Sequence, residues 1–195
     1  MALNKTIVLI KLARAFWAST LLVFASALAI PVRAADIPQE YVEAVHRAEI
    51  SGTALFEAEA KGAPPEDTAV VAAKSRVNGI CDFQYVPVQV TENGEAALYL
   101  LAQSREPTDV IIGRHFKVTA KTVEVSSKSC LNLHSAPNAV AMYVTHLLAP
   151  TPSEFHVYLT LKHKIGLYVG TSAGNWLVKN GVITFLEARK PAPLK

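Results

Sequence analysis

Apolar and polar positions along this chain fall into three regimes. The first is an apolar run from Ala15 to Ile30. Lys5, Lys11 and Arg14 precede it, and Pro31 and the small-residue site Val32-Arg33-Ala34 close it. A positive segment, an apolar stretch and a V-x-A site in that order predict a secretory leader over 1–34, cleaved so that the mature chain begins at Ala35. The rival reading is a membrane anchor, since a span needs roughly 17–25 apolar residues. Ser19, Thr20, Ser26 and the closing Pro31 favour the leader.

The second regime has helical spacing. Over Gln39 to Lys61, the residues Tyr41, Val45, Ala48, Gly52, Leu55 and Phe56 fall on one face. Glu43 with Arg47 and Glu57 with Lys61 add i,i+4 pairs in the favourable order. Pro65 to Asn78 predicts a second helix. Pro65 suits the first helical position, Glu66 and Asp67 the first turn and Lys74 and Arg76 the last turns, with Asn78-Gly79 as a left-handed stop.

From Cys81 onward the third regime is extended. The pattern predicts strands over 83–90, 97–103, 110–119, 123–126, 129–133, 139–147, 154–164, 166–171, 176–179 and 182–187. Asn93-Gly94 and Asn180-Gly181 mark two-residue hairpins. Helices first and strands afterwards predict an α+β domain over 35–190, with the two N-terminal helices packed on a largely antiparallel, curved sheet. The Lys190-Pro191-Ala192-Pro193 segment predicts a disordered tail over 191–195.

Charge changes the picture once the leader is set aside. The whole chain is +3, but Lys5, Lys11, Arg14 and Arg33 all lie in the leader, so the remaining 161 residues carry 15 basic and 16 acidic side chains. The apparent basicity belongs to export, and a nucleic-acid partner is not expected. Residues 36–67 have a net charge of −6 and residues 68–195 a net charge of +5. This suits an acidic helix on a mildly basic domain.

Cys81 and Cys130 are the only cysteines. In an oxidising compartment such a pair predicts one structural disulfide.

Chemistry is sparse. Gly170-Thr171-Ser172-Ala173-Gly174 fits the G-x-S-x-G elbow, which requires a strand before and a helix after it. The residues after it predict another strand, and no His or Asp follows Ser172, so a surface turn is the better reading. His46, His115, His134, His146, His156 and His163 show no metal spacing, and no metal or cofactor is expected. Asp82, Glu92, Glu95, Glu124 and Glu154 are scattered, with no pair placed by spacing for acid–base work.

The clearest surface signal is the alternation over 154–164. Phe155, Val157, Leu159 and Leu161 alternate with His156, Tyr158, Thr160 and Lys162. On a strand, the second set forms an open row, and Arg114 and Lys117 in the neighbouring β region would extend it into a basic and aromatic platform for an anionic or carbohydrate-like ligand or a protein partner. Trp176, beside a turn, is a further contact candidate, with the core as its alternative. These features predict a small exported binding protein, periplasmic or secreted, with no stable membrane insertion after cleavage and no evident catalytic set. The alternatives are a hydrolase whose site assembles only in three dimensions, and an envelope component tethered by an uncleaved leader. Intact-mass measurement of the exported chain is expected to give a start at Ala35; a mass that includes the leader would establish the anchor.

Overall fold

The computed structural model describes residues 36–189 apart from Asn93 and Pro137. The predicted leader and tail lie outside the described residues.

After a short 3-10 turn over Gln39–Tyr41, helix α1 (Val42–Lys61) buries Val45, Ala48, Gly52 and Leu55, the face expected from spacing. It stops at Gly62, whose φ of 67° places it in the left-handed region and whose N–H returns to the Glu59 carbonyl. Helix α2 (Asp67–Arg76) is shorter than its predicted 65–78 and buries only Ala73.

Among the described residues the strands form three sheets. In the first, β1 (Gln84–Glu92) and β2 (Glu95–Gln103) make a hairpin that places Glu92 opposite Glu95, and β4 (Phe116–Val118) and β5 (Val123–Val125) complete the antiparallel order β1-β2-β4-β5. A two-stranded ribbon joins β3 (Asp109–Ile111) to β6 (Asn132–His134). In the third sheet, β7 (Ala141–Thr145), β8 (Gly166–Gly170), β9 (Gly174–Lys179) and β10 (Val182–Ala188) lie in the order β10-β9-β8-β7, with β7 and β8 parallel. Asn180 and Gly181, at φ 52° and 84°, make the predicted turn between β9 and β10.

Two expectations are corrected. The predicted strand 110–119 is two strands in different sheets. The break falls at Gly113, where a side chain would meet the Ser129 carbonyl and the Leu131 N–H, and at Arg114, which has a φ of 61°. The larger correction is 154–164, which is helix α3 (Glu154–His163). Ser153 opens it with a capping box in which the His156 ring receives the Ser153 N–H at 3.0 Å, and Lys164, at φ 55°, ends it. Phe155 to Thr160 are all buried, so α3 presents no polar stripe and its sequence lacks the helical signature. The residual alternation resembles a strand because every side of this segment is covered.

Helix α3 links the parallel pair β7 and β8, and such a pair needs a crossover connection. Together with α1 it lies between the first and third sheets. Tyr99 and Leu101 reach this layer from one side and Val169, Trp176 and Val178 from the other. Strand β2 is buried on both faces, since Leu98 and Leu100 enter a second cluster with Ala73 and Val77 around α2. The order is therefore α2, sheet, the α1–α3 layer, sheet. Cys81 and Cys130 form a disulfide with Cα atoms 5.9 Å apart, tying the segment after α2 to the loop before β6.

The two helices of the middle layer touch at Gly52. A Cβ there would sit 2.5 Å from Cβ of Val157 and 2.6 Å from the Glu154 carbonyl oxygen. Gly52→Ala is therefore expected to cost about 1–3 kcal/mol by overpacking, although alanine favours an isolated helix by about 1 kcal/mol. Urea unfolding measures the sign, and a stabilised variant would show that the helices do not meet there.

Candidate functional site

Because α3 begins where β1, β4 and β5 end against α1, its first residues face a cleft of about 570 Å³. Arg47, Ser51 and Ile50 line one wall from α1; Glu92, Lys117 and Glu124 come from the first sheet, and Thr151 to Glu154 form the third side. A smaller adjoining hollow shares Glu124, Ala149, Ser153 and Glu154 and reaches Ser126 and His146.

The cleft holds a partitioned set of charges. The Lys117 ammonium lies 2.6 Å from the Glu92 carboxylate and 3.6 Å from that of Glu154. Glu92 also accepts the Tyr99 hydroxyl at 2.6 Å. Burial alone would raise the Glu92 pKa, but the hydrogen bonds from Lys117 and Tyr99 outweigh it and hold the group below the usual carboxylate range. Burial likewise opposes the Lys117 ammonium, and its bond to Glu92 and the charge of Glu154 reverse that effect, raising its pKa. Glu154 differs: its burial dominates and the more distant Lys117 offsets only part of it, so its pKa is raised. The two carboxylates share one lysine and are driven in opposite directions.

Deeper in the layer, the His115 ring accepts the Ala102 N–H at Nδ1 and donates from Nε2 to the Ile111 carbonyl at 2.8 Å, while stacking on Phe155. His156 meets His146 edge to face, with ring centroids 4.8 Å apart. Burial lowers the pKa of His115 to about 4 and that of His156 to about 3, the latter also by proximity to His146. Both are neutral at pH 7.

The residues singled out from sequence are dispersed. Lys117 lines the cleft, whereas His156 is buried within α3. Tyr158 and Lys162 belong to a second polar group 103 residues apart in sequence at its extremes. Lys162 donates to Glu59 at 2.6 Å, to Gln103 at 2.7 Å and to the Tyr158 oxygen at 2.8 Å, while Tyr158 donates to Glu59 at 2.9 Å. This group borders a hollow of about 150 Å³ and closes on itself. Arg114 donates to the carbonyls of Lys128 and Asn78, both at 2.9 Å, and so secures two loops beside the disulfide. Trp176 is fully buried and donates to Thr171 at 2.9 Å; it is a core residue. The open row expected on a strand face does not exist because α3 is a helix. Ser172 lies exposed on the turn from β8 to β9, and a strand follows it where an elbow needs a helix. Among the described residues no group of three His, Cys, Asp or Glu side chains is placed to hold a metal ion.

Sequence reasoning missed the grouping of Glu92, Glu124 and Glu154. Each was visible as a residue, but no local spacing links positions on β1, β5 and α3. No family model, curated protein or solved structure matches this chain.

The buried histidines set a pH dependence. Unfolded histidines take up protons near pH 6.5, whereas His115 and His156 in the folded state do so only near 4 and 3. Their contribution is complete above about pH 6.5 and is lost as pH falls toward 4, at up to about 3 kcal/mol per pH unit for the two. Glu154, with its raised pKa, acts oppositely as it protonates above its ordinary value, so one group offsets part of the effect of two. The urea midpoint is expected to be lower at pH 5 than at pH 7, with His156→Gln flattening the difference. An unchanged midpoint in the parent chain would exclude neutral buried histidines.

Proposed function

We propose that this chain is an exported, non-catalytic binding protein of the periplasm or extracellular space whose small ligand occupies the cleft at the start of α3. The observation that carries this reading is Glu154. Its side chain is only 14% exposed, yet among the described residues its one ion-pair partner is a lysine 3.6 Å away that is bound more closely to Glu92. Its own backbone N–H and its place in the first turn of α3 offset the burial only in part, since the pKa stays raised; a carboxylate kept largely dehydrated is unfavourable, and such groups concentrate at functional sites. The cleft volume is in the range of small-molecule sites, about 300–1,000 Å³.

The ligand chemistry follows from the lining. Glu92, Glu124 and Glu154 outnumber Lys117, while Arg47 is shared with Glu43 at the rim. An anion would meet repulsion there. Of the ligands expected from sequence, the carbohydrate-like one fits better: hydroxyl groups donate to the carboxylates and accept from Lys117, and Ile50 and Ala54 offer an apolar wall. The export assignment is supported by the leader pattern and the Cys81–Cys130 disulfide. Among the described residues no helix is long and apolar enough to cross a membrane. The reading includes no nucleic-acid partner and no cofactor.

A hydrolase is the second reading, favoured by one observation. Carboxylates driven in opposite directions in one cleft are a recurrent acid and base arrangement. Titration calorimetry against a panel of neutral sugars distinguishes the two. Binding without product, weakened roughly 10- to 100-fold in Glu154→Gln, is expected from the loss of a hydrogen bond to a charged group. Product formation abolished by the same substitution would establish the hydrolase. No saturable heat with any sugar would remove the ligand assignment.

A further inference from the structure

The third sheet has two edges, and they are treated differently. At β10, the Ile183 N–H donates to the Glu49 carboxylate on α1 at 2.7 Å, and the β9–β10 pairing is interrupted between Phe185 and Glu187. A side-chain cap and a bulge are common ways of blocking further strand pairing. At β7 neither device is present. The strand reads Ala-Met-Tyr-Val-Thr, and no Asp, Glu, Lys or Arg occurs from Ala136 to Ser153.

Its hydrogen bonds show which groups are free. The Val140 carbonyl accepts from Gly166, and the His146 N–H donates to Gly170. Even-numbered residues therefore face β8, and the alternation of a strand turns the N–H and C=O groups of Ala141, Tyr143 and Thr145 outward. These have no backbone partner among the described residues. The surrounding side chains are apolar and open to solvent: Val140 is 85% exposed, Tyr143 61%, Leu147 77% and Tyr168 42%, and Tyr168 lies directly beside Tyr143.

We infer that β7 is the contact through which two copies of this chain associate, by antiparallel pairing of β7 with its counterpart about a two-fold axis at Tyr143. The outward residues are symmetric about that position. Reversal sets Ala141 opposite Thr145 of the second copy and Tyr143 opposite Tyr143 of the second copy, so every outward N–H meets a C=O in one register. The absence of charge means that self-pairing opposes no like charges. The exposed side chains Val140, Tyr143, Leu147 and Tyr168 flank this edge and are partly covered by such pairing. The product is one continuous sheet of eight strands, with both capped β10 edges at its ends.

The test uses light scattering on the purified chain over the micromolar range, together with two cysteine variants. The parent is expected to be a dimer. Tyr143→Lys, which opposes two ammonium groups at the axis, is expected to be a folded monomer, with unchanged far-ultraviolet circular dichroism and a Tm that no longer rises with protein concentration, because Tyr143 is exposed within one copy. Paired Cα atoms at the axis lie about 5.5 Å apart, within the roughly 4.4–6.8 Å a disulfide spans. Tyr143→Cys should therefore cross-link on oxidation. Tyr168→Cys, whose copies would be about 14 Å apart across three strand spacings, should not. A monomeric parent overturns the inference, as does a dimer that survives Tyr143→Lys without cross-linking in Tyr143→Cys. A monomer whose β7 edge instead captures an extended peptide would also overturn it.

Discussion

Everything in this molecule depends on burying a ten-residue helix from two sides. Helix α3 has a sheet on either side and α1 beside it, and it makes the crossover that allows β7 and β8 to run parallel. Its N-terminus delivers Glu154 to the cleft, and its first two turns carry Phe155 toward Tyr99 and Tyr158 toward Gln103 of the first sheet. The close approach at Gly52 fixes how far α1 can lie from it. A larger separation would open the middle layer and loosen both sheets, because each packs against the same pair of helices.

This constraint also explains what was legible in the sequence. Helix α1 could be read because one face is wet, so apolar residues recur with the helical period. The turn at Asn180-Gly181 carries the residues that its backbone geometry needs, β1 and β2 pair as a hairpin up to Glu92 and Glu95, and the two cysteines pair as their number suggests. Helix α3 is not legible as a helix because periodicity reports contrast between a dry and a wet side, and this segment has no wet side over six residues. The same lack of contrast puts His156, Tyr158 and Lys162 on one open row in an extended reading, whereas in the helix one is buried beside His146 and the others are bound to Glu59 and Gln103. The carboxylates of the cleft were invisible as a set, since the fold joins positions 92, 124 and 154 only in three dimensions.

The two polar groups of the middle layer illustrate different solutions to dehydration. Around Glu59, one carboxylate meets a lysine, a phenol and an amide at ordinary hydrogen-bond distances, and the group is saturated. Around Lys117, two carboxylates share one ammonium unequally. Saturated networks rigidify a fold, whereas an unequally shared charge leaves one member with capacity for a further donor. That difference separates structural support from the site.

The bonded Cys81 and Cys130 are 49 positions apart in sequence, and every strand of the first sheet lies inside that interval. Helix α3 and the third sheet lie wholly outside it. Oxidation thus divides the chain into a covalent ring and a linear remainder. Closing such a ring reduces unfolded-state entropy by about 4 kcal/mol in the chain-entropy description, and the benefit falls on the ring. Sub-global opening should begin with the linear remainder, which would release the floor of the cleft while the ring kept its strands. In a reducing environment this order of events would lose its covalent basis.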